Sequence, residues 1–261
     1  MSSLQFIFKK TSFFLSLLII YSTIVFAEQQ TLRILHWNDF HSQNVPMKVV
    51  AKDSITGKES TYLVGGTAAL LGYINKEKEN RNDVIVLNAG DDFQGTPISS
   101  LTFGQSQIEL MNIIHPDAVT LGNHEFDYGV EHLSTDIALA QYPIVCSNVY
   151  VKSMNQPLGD ATKIITIGKL KIGLIGFTPP DLEILTVKKN IEGLELKKIN
   201  DIADSCIKEL KSQKVNLIIM LSHMGLDKDS VFADHHKDVD IIVGGHTHTA
   251  LFSPIKKNRT I

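Results

Sequence analysis

Cysteine is scarce: the 261 residues hold two, Cys146 and Cys206. Two cysteines exclude a disulfide scaffold and a cysteine-type zinc site. Cys146 falls in an apolar run and Cys206 on the apolar side of an expected helix, so both read as free buried thiols. Basic excess is also missing. The net charge is −3, which argues against nucleic acid as a partner, because phosphate-backbone binders carry surplus Lys and Arg. Internal repeats and low-complexity segments are absent. Gly65-Gly66 precedes an expected helix, but no Gly-Lys-Ser/Thr follows, which argues against a P-loop. The apolar run from Phe13 to Phe26 is shorter than the roughly 20 residues needed to cross a bilayer. It follows Lys9-Lys10 and ends at Ala27. A basic start, a short apolar core and a small residue, in that order, describe a signal peptide over residues 1–27. The expectation is an exported protein (periplasmic, cell-surface or secreted) whose mature chain begins near Glu28 and keeps no stable membrane span.

What is present is a long chain able to bury a sizeable core. Short runs rich in Val, Ile and Leu, bounded by Gly, Asn, Asp or Pro, predict strands at 31–36, 84–88, 118–121, 144–147, 163–167, 171–177, 216–222 and 240–243. Helical spacing of apolar residues predicts helices at 67–80, 106–114, 131–140 and 201–212. This alternation favours an α/β domain with largely buried sheets. Residues 50–61 and 154–160 read as surface loops.

Five of the strand candidates run directly into polar clusters. These are Asp39-Phe40-His41, Gly90-Asp91-Asp92, Gly122-Asn123-His124-Glu125, Ser222-His223 and Gly244-Gly245-His246-Thr247-His248. Ligands of α/β sheets gather at the carboxyl ends of strands. In an extended segment, alternate residues point the same way, so Asp39 with His41, and His246 with His248, can each aim at one place. The glycines let the backbone turn sharply and approach a ligand closely. Carboxylate, amide and imidazole together suit Zn, Mn, Fe or Co better than Ca or Mg.

This series resembles the calcineurin-like metallophosphoesterases. The string from Gly122 to Gly129 is similar to the 5′-nucleotidase branch. The resemblance runs from about Thr31 to the end of the chain and implies a four-layer α/β/β/α sandwich. It implies two divalent metal ions, Zn, Mn or Co. Asp39, His41 and His248 would hold the first, Asn123, His223 and His246 the second, and Asp91 would bridge them. His124 would stand beside the metals as the catalytic imidazole, oriented by Asp127, with Asn123 and His124 touching substrate. An imidazole at His248 departs from many secreted 5′-nucleotidases, where an amide is common. That bears on metal preference, not on the site. The implied activity is hydrolysis of a phosphate ester, most simply a 5′-nucleotide. The resemblance further implies that 28–261 is a catalytic domain lacking its closing strands after Lys257 and its nucleotide-specificity domain. Rival readings are an inactive metal-binding fragment, or a 2′,3′-cyclic nucleotide phosphodiesterase or UDP-sugar hydrolase of the same family. Asp127 leans away from the cyclic phosphodiesterases, which tend to carry Asn there.

Other polar residues keep plainer readings. Asp, Asn and His each occur as turn, cap or core residues. His36, His115, His132, His235 and His236 are assigned to no metal. Asp92 reads as a hydrogen-bonding neighbour of Asp91, and Glu125 as structural.

Overall fold

The computed structural model describes residues 30–261, so the expected signal peptide lies outside the described residues. Twelve strands follow in chain order. They are β1 (Arg33–Trp37), β2 (Met47–Lys52), β3 (Glu59–Val64), β4 (Val84–Asn88), β5 (Ala118–Val119), β6 (Val149–Val151), β7 (Gln156–Pro157), β8 (Lys163–Ile167), β9 (Leu170–Phe177), β10 (Leu194–Leu196), β11 (Leu217–Ser222) and β12 (Ile241–Gly244). The helices are α1 (Thr67–Lys78), α2 (Pro97–Leu101), α3 (Gln105–Ile114), α4 (Val130–Leu139), α5 (Leu182–Leu185), α6 (Ile199–Ser212) and α7 (Leu226–His235).

Strand β4 is buried along its whole length, as a strand covered on both faces must be. It pairs in parallel with β1 and β5 to give the order β1-β4-β5. The second sheet runs β12-β11-β9-β8, parallel except for the antiparallel edge strand β8.

The pleat sends alternate residues to opposite faces, and this builds the layers. Ile85 and Leu87 meet Ile172, Leu174, Ile219 and Leu221 in a core between the two sheets. Their neighbours Val84 and Val86 pack with Ile74, Ile108, Met111 and Leu133 of the helices α1, α3 and α4. On the far side, Ile175, Phe177, Ile218 and Met220 pack with Cys206, Ile207 and Leu210 of α6 and Phe232 of α7. The result is the expected α/β/β/α sandwich. Both cysteines are free and buried. No described helix is long and apolar enough to cross a membrane.

Two expectations need correction, and a third in part, since the expected loop at 154–160 carries the two-residue strand β7. The expected loop at 50–61 lies within an antiparallel hairpin, with Met47 opposite Val64 and Lys52 opposite Glu59. The Asp53 carboxylate ties its turn by accepting from the amides of Ile55 at 3.0 Å and Thr56 at 2.6 Å. No residue of the hairpin is fully buried, so only a weak in–out alternation remains, Val49 and Ala51 half-buried between exposed neighbours. The expected strand at 144–147 is reduced to isolated bridges, Val119 with Ile144 and Val145 with Asp160. The Ser147 side chain takes over there, its hydroxyl accepting from the Gly176 amide at 3.1 Å.

Strand β12 ends its sheet. Ile261 donates to Asp240 O at 3.0 Å and accepts from the Ile242 amide at 2.8 Å, so the last residue lies along that edge.

Candidate metal centre

Strands β1, β4, β5, β11 and β12 deliver the five polar clusters, and the fold brings the clusters together. Asp39, His41 and His248 form one group whose donor atoms lie within 4.8 Å of one another. Asp91, His223 and His246 form a second, and His41, Asp91 and His124 an overlapping third. None of His36, His115, His132, His235 and His236 joins such a group among the described residues.

The backbone works to aim these side chains. Asp39, His41, Asp91, His246 and His248 all have positive φ, between 48° and 79°. That region is uncommon outside glycine, though Asp and His visit it more than most, and its strain collects at functional sites. Gly90 turns at φ 89° to launch Asp91. Gly122 is required for space rather than for its torsions, because a Cβ there would collide with Asp91 Oδ1.

Loop-to-loop bonds fix the frame. The Asp39 amide donates to Gly90 O, and the His41 amide to Asp91 O, each at 2.9 Å. The His246 amide donates to both oxygens of Asp39 at 3.1 Å. Asn38 donates its side-chain amide to Asp39. The His124 amide donates to Asp91 Oδ1 at 2.9 Å. Beneath them lies the buried Glu125. Its Oε2 accepts from the amides of Gly122 at 2.6 Å and Asp91 at 3.0 Å. Its Oε1 accepts from Asp92 at 2.8 Å and Phe93 at 3.2 Å.

Two ligand-type atoms look inward without partners. His223 is fully buried, and its Nδ1 donates to Ala89 O at 2.6 Å. That leaves Nε2 at 2.9 Å from Asp91 Oδ2 and 3.6 Å from Asp39 Oδ1, yet without hydrogen-bonding geometry to any acceptor. Asn123 Oδ1 is likewise buried and unpaired. His41 Nε2 and His248 Nε2 are 3.1 Å apart, with Asp39 Oδ1 3.3 Å from the latter. Buried polar atoms are normally satisfied. Here the orphans are lone-pair donors mixed with two carboxylates, which is the donor set of a divalent-cation site. A carbonyl fixing the far nitrogen of an imidazole is the usual support for a metal-binding histidine. The residues present fit divalent-cation binding.

Charge follows geometry. Burial works against the charged form of His223, but the Asp91 carboxylate overrides it and raises the imidazole to about 9. Burial likewise opposes ionised Asp91, and His223 wins, holding it below the usual carboxylate range. His41 and His246 are lowered, mainly by burial. His124 differs: its Nδ1 lies 2.6 Å from Asp127 Oδ2, and that bond raises it. Asp92 is buried and pushed up to about 7 by desolvation and by Glu125. It accepts from Asn88 Nδ2 at 2.6 Å and Trp37 Nε1 at 3.3 Å, so it supports the loop without facing the donor groups.

Sequence reasoning left three supporting residues unassigned. Asn38 is adjacent to Asp39 and indistinguishable from a turn residue. Asp229, on α7, accepts from the Ser222 hydroxyl. Asn190 donates to Asp127 O at 2.6 Å from 63 residues away. No local pattern marks the last two.

Comparison with known proteins places this geometry. Residues 32–250 match the family model of the calcineurin-like phosphoesterases. The chain is 35% identical to Protein 5NUC of Lutzomyia longipalpis, over 87% of this chain and 41% of that protein. It is 33% identical to the 5′-nucleotidase of Bos taurus, over 85% of this chain and 39% of that one. The crystal structure of the 5′-nucleotidase precursor from Thermus thermophilus superposes with a TM-score of 0.72 at 30% identity, covering 85% of this chain and 43% of that chain. The chain thus spans about two-fifths of the length of the curated relatives it matches. Two stacked sheets, polar clusters at the ends of five strands, and a family match over most of the described residues lead to one assignment: the chain belongs to the calcineurin-like phosphoesterase family.

Proposed function

We propose that the chain is a phosphoric ester hydrolase that releases phosphate from nucleotides with the help of two divalent metal ions. The juxtaposition of Asp39, His41 and His248 with Asp91, His223 and His246 carries this reading. Asp39, His41 and His248 would hold one ion. Asn123, His223 and His246 would hold the other, and Asp91 would be shared between them. Zn, Mn or Co suits the mixed set of donors. When bound, such ions neutralise phosphoryl charge and bring the pKa of a water to near neutrality.

The chain's own residues supply the rest. Asn123 and His124 contact the phosphoryl group. Asp127 accepts a hydrogen bond from Nδ1–H of His124 and so presents Nε2 to the ester oxygen. The oxygen of that water, its proton lost to solvent, bonds to phosphorus while the phosphorus–ester bond breaks. The leaving oxygen takes the Nε2 proton of His124, and the nucleoside departs with its hydroxyl restored. General acid help of this kind contributes about 10²–10⁴-fold. The 5′-nucleotidase relatives and Asp127 favour nucleoside monophosphates over cyclic phosphodiesters. Residues 1–27 are a leader removed on export, and 28–261 form the catalytic domain.

The test is phosphate release from AMP and from p-nitrophenyl phosphate by the chain from Glu28 onward, with added Zn²⁺, Mn²⁺ or Co²⁺. The expected result is metal-dependent release that Asp91→Ala abolishes. Cleavage of the aryl ester alone would leave the metal centre standing and remove the nucleotide preference. No release from either ester by folded, metal-loaded protein would overturn the proposal.

A further inference from the structure

From the bond between Asn190 and Asp127 we infer that Asn190 is a positioning residue for the acid-base pair, locking the backbone that carries Asp127 so that His124 faces the leaving group. The inference rests on the roles proposed above for His124 and Asp127.

His124, Glu125 and Phe126 form a single 3-10 turn, with Asp127 at its end. A turn this short holds itself weakly. Its internal bonds are Phe126 N to Asn123 O, Asp127 N to His124 O and Gly129 N to Phe126 O, at 3.1 to 3.2 Å. None uses the Asp127 carbonyl. That carbonyl accepts instead from Asn190 Nδ2, at 2.6 Å in a part-buried setting. Gly129 then reverses the chain at φ 88° into α4, with Asn190 beside it: a Cβ on Gly129 would lie 3.8 Å from Asn190 Oδ1.

Asn190 stands on a firm base. It belongs to the 3-10 segment Lys188–Ile191, and its amide donates to Val187 O at 2.8 Å. The next residue, Ile191, is buried in the same core as Phe126 and Leu182. The excursion after β9, in the second sheet, therefore reaches across to clamp the turn that follows β5, in the first. One end of the clamp is fixed by Ile191, and the other fixes Asp127, whose carboxylate sets the ring of His124 at 2.6 Å.

The consequence is specific. Loss of the clamp frees the Asp127 backbone but removes none of the proposed metal donors. A displacement near 1 Å at a reacting group can cost about a hundredfold in rate. The loss falls on esters whose leaving oxygen needs a proton. An AMP-type alkoxide needs one, whereas p-nitrophenolate departs largely without.

The experiment compares Asn190→Ala, His124→Ala and the double variant on AMP and p-nitrophenyl phosphate, each protein checked for metal content and melting temperature. Asn190→Ala is expected to lower the ratio of the AMP to the aryl-ester kcat about ten- to hundredfold, at unchanged metal content. In the His124→Ala background it is expected to lower that ratio no further, because residues acting as one unit are not additive. Nitrogen-15 histidine spectra of the metal-free protein give an activity-independent readout. The hydrogen-bonded Nδ1–H resonance of His124 is expected to move or broaden in Asn190→Ala. Asn190→Asp, which keeps the shape and loses the donor, should behave likewise and stands in if the alanine variant does not fold. An unchanged ratio and an unchanged resonance, while His124→Ala does lower the ratio, would overturn this inference alone. If His124→Ala leaves the ratio unchanged, the proposed role of His124 fails first and this inference with it.

Discussion

Glu125→Gln is the most informative single perturbation of the frame. The two side chains have nearly the same shape, so packing is preserved and the change is chemical. Each carboxylate oxygen of Glu125 accepts two backbone amides: Oε2 those of Gly122 and Asp91, and Oε1 those of Asp92 and Phe93. All four donors point in, and glutamine offers one acceptor and one donor group. Two amides keep their oxygen, and two face an NH₂. An unsatisfied buried donor costs about 1–3 kcal/mol, so the loss should be about 2–6 kcal/mol. The number depends on Glu125 being ionised. Burial and the Asp91 carboxylate push it up toward the neutral acid, while His223 and the Phe93 and Asp91 amides pull the other way. A protonated Glu125 would already resemble glutamine and would lose little on substitution. The assay is urea unfolding of both proteins in EDTA, so that metal linkage does not enter. Equal slopes with a lower midpoint for the variant would report the loss as stability. A difference under about 0.5 kcal/mol, the range of an ordinary surface change, would refute the four-amide argument and point to the neutral acid.

Asp136 offers a test with a defined pH window. It is buried on α4, its Oδ2 has no partner, and desolvation raises it from 3.8 to about 6. The folded state binds the proton more tightly than the unfolded one, so this group costs nothing well below pH 4, and its cost grows as pH rises from about 4 to 6. Asp136→Asn should match the parent at about pH 3.5 and gain about 1–2 kcal/mol at pH 7 after allowance for solvent screening; a gain that is flat with pH would exclude the linkage. Gly122→Ala drives a methyl into Asp91 Oδ1 and should abolish metal uptake, measured by equilibrium dialysis, while leaving a folded far-UV spectrum. Added metal at about 100 times its Kd should stabilise the parent by about 2.7 kcal/mol in thermal melts, and EDTA or Asp91→Ala should remove that increment.

The layers and the clustered donors were legible because each is written locally. Strand β4 is apolar at every position before Asn88, and a strand buried on both faces needs that. The polar clusters follow strands at once, so knowing where a strand ends fixes where Asp91 or His223 emerges. What stayed hidden depends on pairs far apart in sequence or on surfaces without a pattern. The hairpin of β2 and β3 buries no residue fully, so its period is weak. The four-amide cradle of Glu125 requires the chain to return on itself after β4 and again after β5. The Asn190 bond joins segments 63 residues apart, and nothing in Lys188–Ile191 marks one amide as special.

The left-handed residues connect these two kinds of information. Asp39, His41, Asp91, His246 and His248 each depart from ordinary backbone geometry, at a cost of order 1–3 kcal/mol apiece. Their side chains also gather charge and lone pairs with few protein partners. A metal-free domain carries both burdens, and the bonds that carry them come from the frame: Glu125 under Asp91, the His246 amide on Asp39, and Ala89 behind His223. Cations would satisfy the donors but would not relax the backbone. The strain should therefore persist in the loaded protein, and the frame residues should matter to stability with or without metal. That separates them from Asn123 and His223, whose unpaired buried atoms should make them costly chiefly when metal is removed. Asn123→Ala should accordingly stabilise the metal-free protein relative to the parent, or leave it unchanged, while weakening metal uptake. Destabilisation of the metal-free form by that substitution would place Asn123 in the frame instead.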